Sequence, residues 1–150
     1  MLKKKIIIGV SVLSLTLLPQ CATYAQSFYN GNVQKYSDFE SGNSYKTSTS
    51  TQAANDVVTK PSGSFQSWTE IGNSGTYGGV VYTEGLNATE KTEYTTIGYK
   101  YMTYVKNFDA DSSIAYAINT NKVPTKLNIS TSLSNFTGGG VSGFWAPDPF

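Results

Sequence analysis

The sequence predicts an all-β fold: an antiparallel β-sandwich or small barrel of about six to eight strands, preceded by a cleaved helical signal peptide. Three observations carry this. Apolar residues recur with a period of two along several stretches, turn-forming clusters punctuate the chain at short intervals, and nothing after residue 25 shows the three-and-four spacing of an amphipathic helix. Beyond that point Tyr, Phe and Trp outnumber Val, Ile and Leu. Disorder usually comes with few aromatics and high net charge, and neither holds here.

The first residues, Met1-Leu2-Lys3-Lys4-Lys5, are followed by an apolar run from Ile6 to Leu18 and then by "PQCATYAQS". A basic start, a short apolar stretch and a small-residue site have the layout of a secretory signal peptide. The run is short of the roughly 20 residues needed to span a bilayer. Cleavage is expected after Ala25, with Thr23 at the −3 position. Lipid attachment wants a small residue before the cysteine, whereas Pro19-Gln20 precedes Cys21, so Cys21 is expected to leave with the leader. The expected organisation is a signal peptide over 1–25, a loosely ordered arm over 26–44 and a single β domain over 45–150, secreted and extracellular. That product has no cysteine, and its stability must come from packing. Losing Lys3, Lys4 and Lys5 leaves eight lysines against ten acids, a net charge of −2. Such a surface has no general attraction for nucleic acid or anionic lipid.

The elements follow in order. "SFYNGNVQKYSDFESGNS" mixes turn formers with isolated aromatics and has no period, which predicts the arm. "SYKTSTSTQ" alternates Tyr45, Thr47, Thr49 and Thr51 with Lys46, Ser48 and Ser50, as a strand with one polar face does. In "DVVTKPSGSFQSWTEIGNSGTYGGVVYTEGL" three apolar runs are cut at Pro61-Ser62-Gly63 and Asn73-Ser74-Gly75, the spacing of hairpins. Thr92 to Lys106 reads as one long strand whose drier face carries Ile97, Tyr99, Tyr101, Thr103 and Val105. After "NFDADSS" the alternation resumes with Ile114, Tyr116 and Ile118. A last strand aligns Leu127, Ile129, Thr131 and Leu133, with Lys126, Asn128, Ser130 and Ser132 outward. In the tail, "GGGVSGFWAPDPF", Gly138 to Gly140 is expected to turn the chain so that Trp145 docks on the core. Pro147 and Pro149 then stop any further strand.

Several chemistries are short of residues. The chain has no histidine and no arginine, which removes the usual general base near neutral pH and the usual orienter of a serine nucleophile. No serine stands in a "GxSxG" or "SxxK" setting, and zinc or copper would need His or Cys ligands. Glu84, Glu90 and Glu93 lie near one loop and read as solvated. The calcium candidate is Asn107, Asp109 and Asp111, oxygen ligands at alternate positions. The glycine and distal glutamate of the helical calcium loop are missing, so a capped turn is expected there. No cofactor and no enzymatic activity are expected. Asn87-Ala88-Thr89, Asn128-Ile129-Ser130 and Asn135-Phe136-Thr137 match the glycosylation pattern, which chance produces readily in such a composition.

Eleven tyrosines remain to be accounted for. Aromatics on strands fill cores and cross-strand pairs; exposed, they suit sugar rings, membrane interfaces and protein partners. Tyr99, Tyr101, Tyr104, Phe144 and Trp145 are the candidate binding residues. With its leader, its Ser/Thr/Tyr-rich strands and its "SGFWAPD" ending, the chain resembles small secreted all-β proteins of Gram-positive bacteria, a group that includes lactococcin-like bacteriocins. It departs from those bacteriocins in its greater length and its lack of histidine, and no functional residue carries over. The resemblance implies a secreted, non-enzymatic factor acting on a bacterial envelope, at membrane or cell wall. The alternative is a surface module that binds glycan or protein.

Overall fold

A computed structural model describes residues 27–33, 38–60, 63–106, 114–131 and 139–149. The expected leader and the calcium candidate Asn107, Asp109 and Asp111 lie outside them. The described chain is mostly antiparallel β structure with one short helix, and no sheet closes into a barrel. In order come β1 (Ser27–Val33), β2 (Phe39–Glu40), β3 (Ser44–Tyr45), β4 (Gln52–Thr59), β5 (Phe65–Ile71), β6 (Gly75–Tyr77) and β7 (Val80–Tyr82). They are followed by β8 (Thr92–Tyr94), β9 (Gly98–Thr103), α1 (Ile114–Asn121), β10 (Pro124–Thr131) and β11 (Gly139–Ala146).

One sheet has the order β1-β11-β4-β9. A second runs β2-β10-β5-β8, with β3 also on β10, and β6 and β7 form a separate hairpin. A single apolar cluster draws on both larger sheets. Tyr29, Val33, Val57, Met102, Val141 and Trp145 come from the first, Phe65, Ile71, Tyr94, Leu127 and Ile129 from the second, and Ile114, Ala115 and Ile118 from α1. Polar atoms inside it are tied to one another: the Tyr29 hydroxyl donates to Asn55 Oδ1 (2.9 Å), Asn55 Nδ2 to Ser67 Oγ (3.2 Å) and the Tyr94 hydroxyl to the Asn55 carbonyl (3.0 Å). Burial, more than any charge, pushes the Tyr29 and Tyr94 hydroxyls far above the ordinary tyrosine range.

Several expectations are corrected. The arm begins with a seven-residue strand, because Tyr29 and Val33 carry a buried parity that isolated aromatics concealed. Thr92 to Lys106 is two strands, not one, and its dry parity is the reverse: Met102 and Tyr104 are buried while Tyr99, Tyr101 and Ile97 are exposed. Residues 114–121 form a helix. Ile114 and Ile118 fit either period, but Ala115 is buried with them, the i, i+1, i+4 pattern of a helical face. The Val123 and Lys122 backbone N–H groups donate to the Ile118 (3.0 Å) and Asn119 (3.3 Å) carbonyls and, with Lys122 at φ 56°, end the helix, while Thr120 Oγ1 and Asn121 Nδ2 bond back to the Tyr116 and Ala117 carbonyls.

β4 and β5 lie in different sheets, so they do not form the hairpin expected about Pro61-Ser62-Gly63, of which Pro61 and Ser62 lie outside the described residues. The hairpin that does form turns at Gly78 and Gly79, both at positive φ (57° and 81°), as a two-residue hairpin turn of the primed type requires. On β10 the outward Lys126 and Asn128 are buried. The Asn128 sequon is thereby removed from solvent. "SYKTSTSTQ" leaves the sheet after Tyr45. Gly139 and Gly140 do not turn but begin β11, Gly138 lying outside the described residues; the tail is this strand, central between β1 and β4, with Trp145 in the core as expected. Gly143 is needed at its bulge, since a Cβ there would run into the Asp56 carbonyl and the Tyr29 ring.

Candidate functional site

Alternation along the first sheet sends Tyr29, Val33, Val57 and Trp145 inward, so their neighbours must face the other way. Strand register then sets four of those neighbours in one row across the sheet. Phe28 on β1 opposes Phe144 on β11, Phe144 opposes Asp56 on β4, and Asp56 opposes Tyr99 on β9. Tyr101, two residues along β9, stands beside Tyr99 with ring centroids 4.9 Å apart and edge-on at 84°. The Phe28 and Phe144 rings meet at 5.3 Å and 57°. All four rings are open to solvent, Phe28 at 62%, Phe144 at 37%, Tyr99 at 39% and Tyr101 at 45%, while Asp56 between them is half-buried.

Three of the five candidate binding residues, Tyr99, Tyr101 and Phe144, thus share this face. Tyr104 and Trp145 do not, being 2% and 0% exposed in the core. Phe28 and Asp56 were missed by sequence reasoning. Phe28 was legible in principle, because Tyr29, Gly31 and Val33 alternate against it; Asp56 becomes visible only through cross-strand register. The face combines aromatic C–H and π surface with one carboxylate, a set that stacks on apolar ring faces and accepts hydrogen bonds from hydroxyl or amide groups.

Tyr104 instead helps to fasten the chain end. Its hydroxyl donates to the Pro147 carbonyl (2.8 Å), and the Lys46 ammonium lies 4.7 Å from its ring centroid. Lys46 Nζ donates to Asp148 Oδ1 (2.7 Å) and to the Pro147 carbonyl (3.2 Å). Asp148 also accepts from the Thr47 backbone N–H (2.6 Å) and hydroxyl (2.8 Å) and from the Ser48 N–H (3.3 Å) and hydroxyl (2.6 Å). Burial alone would raise the Asp148 carboxyl, but Lys46 and these donors outweigh it and hold it below the usual range. Lys46 is lowered, burial prevailing over the attraction of Asp148.

Of the acids near one loop, Glu84 is taken by Lys126 (3.2 Å), which also holds Glu40 (2.7 Å). Glu93 lies on β8 opposite Gln66. On the same sheet Trp68 donates from Nε1 to Glu70 (2.6 Å), with Lys91 4.0 Å from its ring centroid. Lys126 with its two carboxylates, and Trp68 with Glu70, are thus paired within the chain. No helix among the described residues is long and apolar enough to cross a membrane. Comparison with protein families, with curated proteins and with solved structures found no match.

Proposed function

We propose that the protein is a secreted, non-enzymatic β module of the bacterial envelope that binds glycan through the aromatic face of its first sheet. The row Phe28, Phe144, Asp56 and Tyr99, extended by Tyr101, carries this reading. Sugar rings offer apolar C–H faces to aromatics and hydroxyls to a carboxylate, so one surface serves both halves of the ligand. Lipid fits less well, because pressing this face into a bilayer would desolvate Asp56. Support for a lipid-touching tail weakens too, since Trp145 packs in the core. The same reading takes the two larger sheets as layers of a sandwich, both feeding one core, with the leader removed after Ala25 on export.

The test is retention of the purified protein on insoluble peptidoglycan and on a neutral polysaccharide, beside anionic lipid vesicles. Glycan retention is expected, falling about tenfold or more in Tyr99→Ala/Tyr101→Ala, as when one or two aromatic contacts worth ~1.4 kcal/mol are lost. Binding to vesicles alone, or glycan retention indifferent to the double substitution, would refute the assignment.

A further inference from the structure

β1 runs along the outer edge of the first sheet, paired on one side with β11 and on the other with no described strand. Such an edge presents a row of backbone N–H and C=O groups that another strand can take up, and proteins usually guard it by shortness, charge or proline. The other edges follow that rule. β2, β3 and β8 hold two, two and three residues, and β9, on the far side of the same sheet, carries Lys100. β1 does not: its seven residues, SFYNGNV, include no charge and no proline. Beside it lies an open groove of about 410 Å³, walled by residues 27–30 of β1 and by residues 39–43 of the second sheet's margin.

We propose that this edge pairs with β1 of a second copy of the chain, antiparallel, about a two-fold axis at Asn30. A row of alternating backbone donors and acceptors is matched by another extended backbone and by neither sugar nor lipid. Self-pairing suits this strand in particular. In that register Ser27 meets Val33, Phe28 meets Asn32 and Tyr29 meets Gly31, so no like charges oppose one another. The second copy's half from Asn30 to Val33 then enters the groove walled by residues 27–30, and the exchange is reciprocal, as an isologous interface requires. Within the chain the Phe39 ring, which also walls the groove, occupies the space of a Cβ on Gly31. The two four-stranded sheets become one of eight, with the Phe28 ends of the aromatic faces meeting near the axis. This inference rests on the edge and the groove and is independent of what the aromatic face binds.

Sedimentation of the purified protein from micromolar to millimolar concentration tests it, and a monomer–dimer equilibrium is expected. Asn30 is exposed, so Asn30→Lys and Asn30→Asp leave the core untouched and each sets like charges face to face at the axis. Each variant alone should dimerise about tenfold or more weakly, and an equimolar mixture of the two should recover the dimer. As a measure free of substitutions, amide exchange of Ser27–Val33 in the unaltered protein should slow as concentration rises. A protein that stays monomeric throughout, or a dimer that persists equally in both charge variants with concentration-independent exchange on β1, overturns the proposal.

Discussion

Asp148 accepts five hydrogen bonds from Lys46, Thr47 and Ser48, and this one side chain fastens the end of β11 to the segment that follows β3. Its folded pKa lies below the unfolded one, so its contribution is complete above the usual aspartate pKa of about 4 and is lost as pH falls through the lower folded value. Lys46 has the opposite sign: lowered by burial, it subtracts stability at neutral pH and plays no part in the acid-side loss. Asp148→Asn should therefore cost about 3–5 kcal/mol at neutral pH, because it strands a buried ammonium, and should flatten the decline in stability below pH ~4. Urea unfolding of both proteins across that range checks it. A neighbouring residue is tested the same way. Trp145→Ala should cost about 3–5 kcal/mol. Its indole N–H is buried without a partner among the described residues, so Trp145→Phe should cost clearly less.

At the scale of elements, the β character and the inward Trp145 were legible because period two and turn chemistry are local properties. The failures have physical causes. In "SIAYAINTNK" two isoleucines four apart satisfy both periods, and the small Ala115 adds too little apolar surface to distinguish them in the sequence. In Thr92 to Lys106 tyrosines occupy both parities, and composition does not say which set is covered; the inward Met102 and the Tyr104 bond to Pro147 decide it. The aromatic face was legible only in part. Three of its residues were named, but the row depends on the register of four strands that are distant in sequence. The hairpin offers a clean test at this scale. Gly78 and Gly79 both hold left-handed φ, yet a Cβ on Gly78 would meet the Asn121 side chain, which bonds back to the Ala117 carbonyl of α1, while one on Gly79 meets nothing. Gly79→Ala should cost roughly 1–2 kcal/mol from backbone strain. Gly78→Ala should cost more and also lower helical signal, measured by chemical denaturation and amide exchange at Ile118 to Asn121.

For the molecule as a whole, the decisive fact is that both larger sheets and α1 share one apolar cluster with no disulfide among its members. Separating the two sheets therefore exposes the side chains of this one cluster to water whichever sheet moves. Chains of this size with one core usually unfold in a single step. The two tryptophans report from different places. Trp145 lies inside the cluster on β11, whereas Trp68 lies on the other face of β5, bonded to Glu70 and lying beneath Lys91. Unfolding in urea, followed by tryptophan fluorescence and by far-ultraviolet dichroism, should give superimposable transitions with one midpoint. The fluorescence of Trp145→Phe, which reports Trp68 alone, should again coincide with that variant's own dichroism. If the Trp68 signal moved at lower urea than the backbone signal, the second sheet would be releasing before the first. The shared core would then be a contact between two separately stable layers, and the sandwich reading would fail.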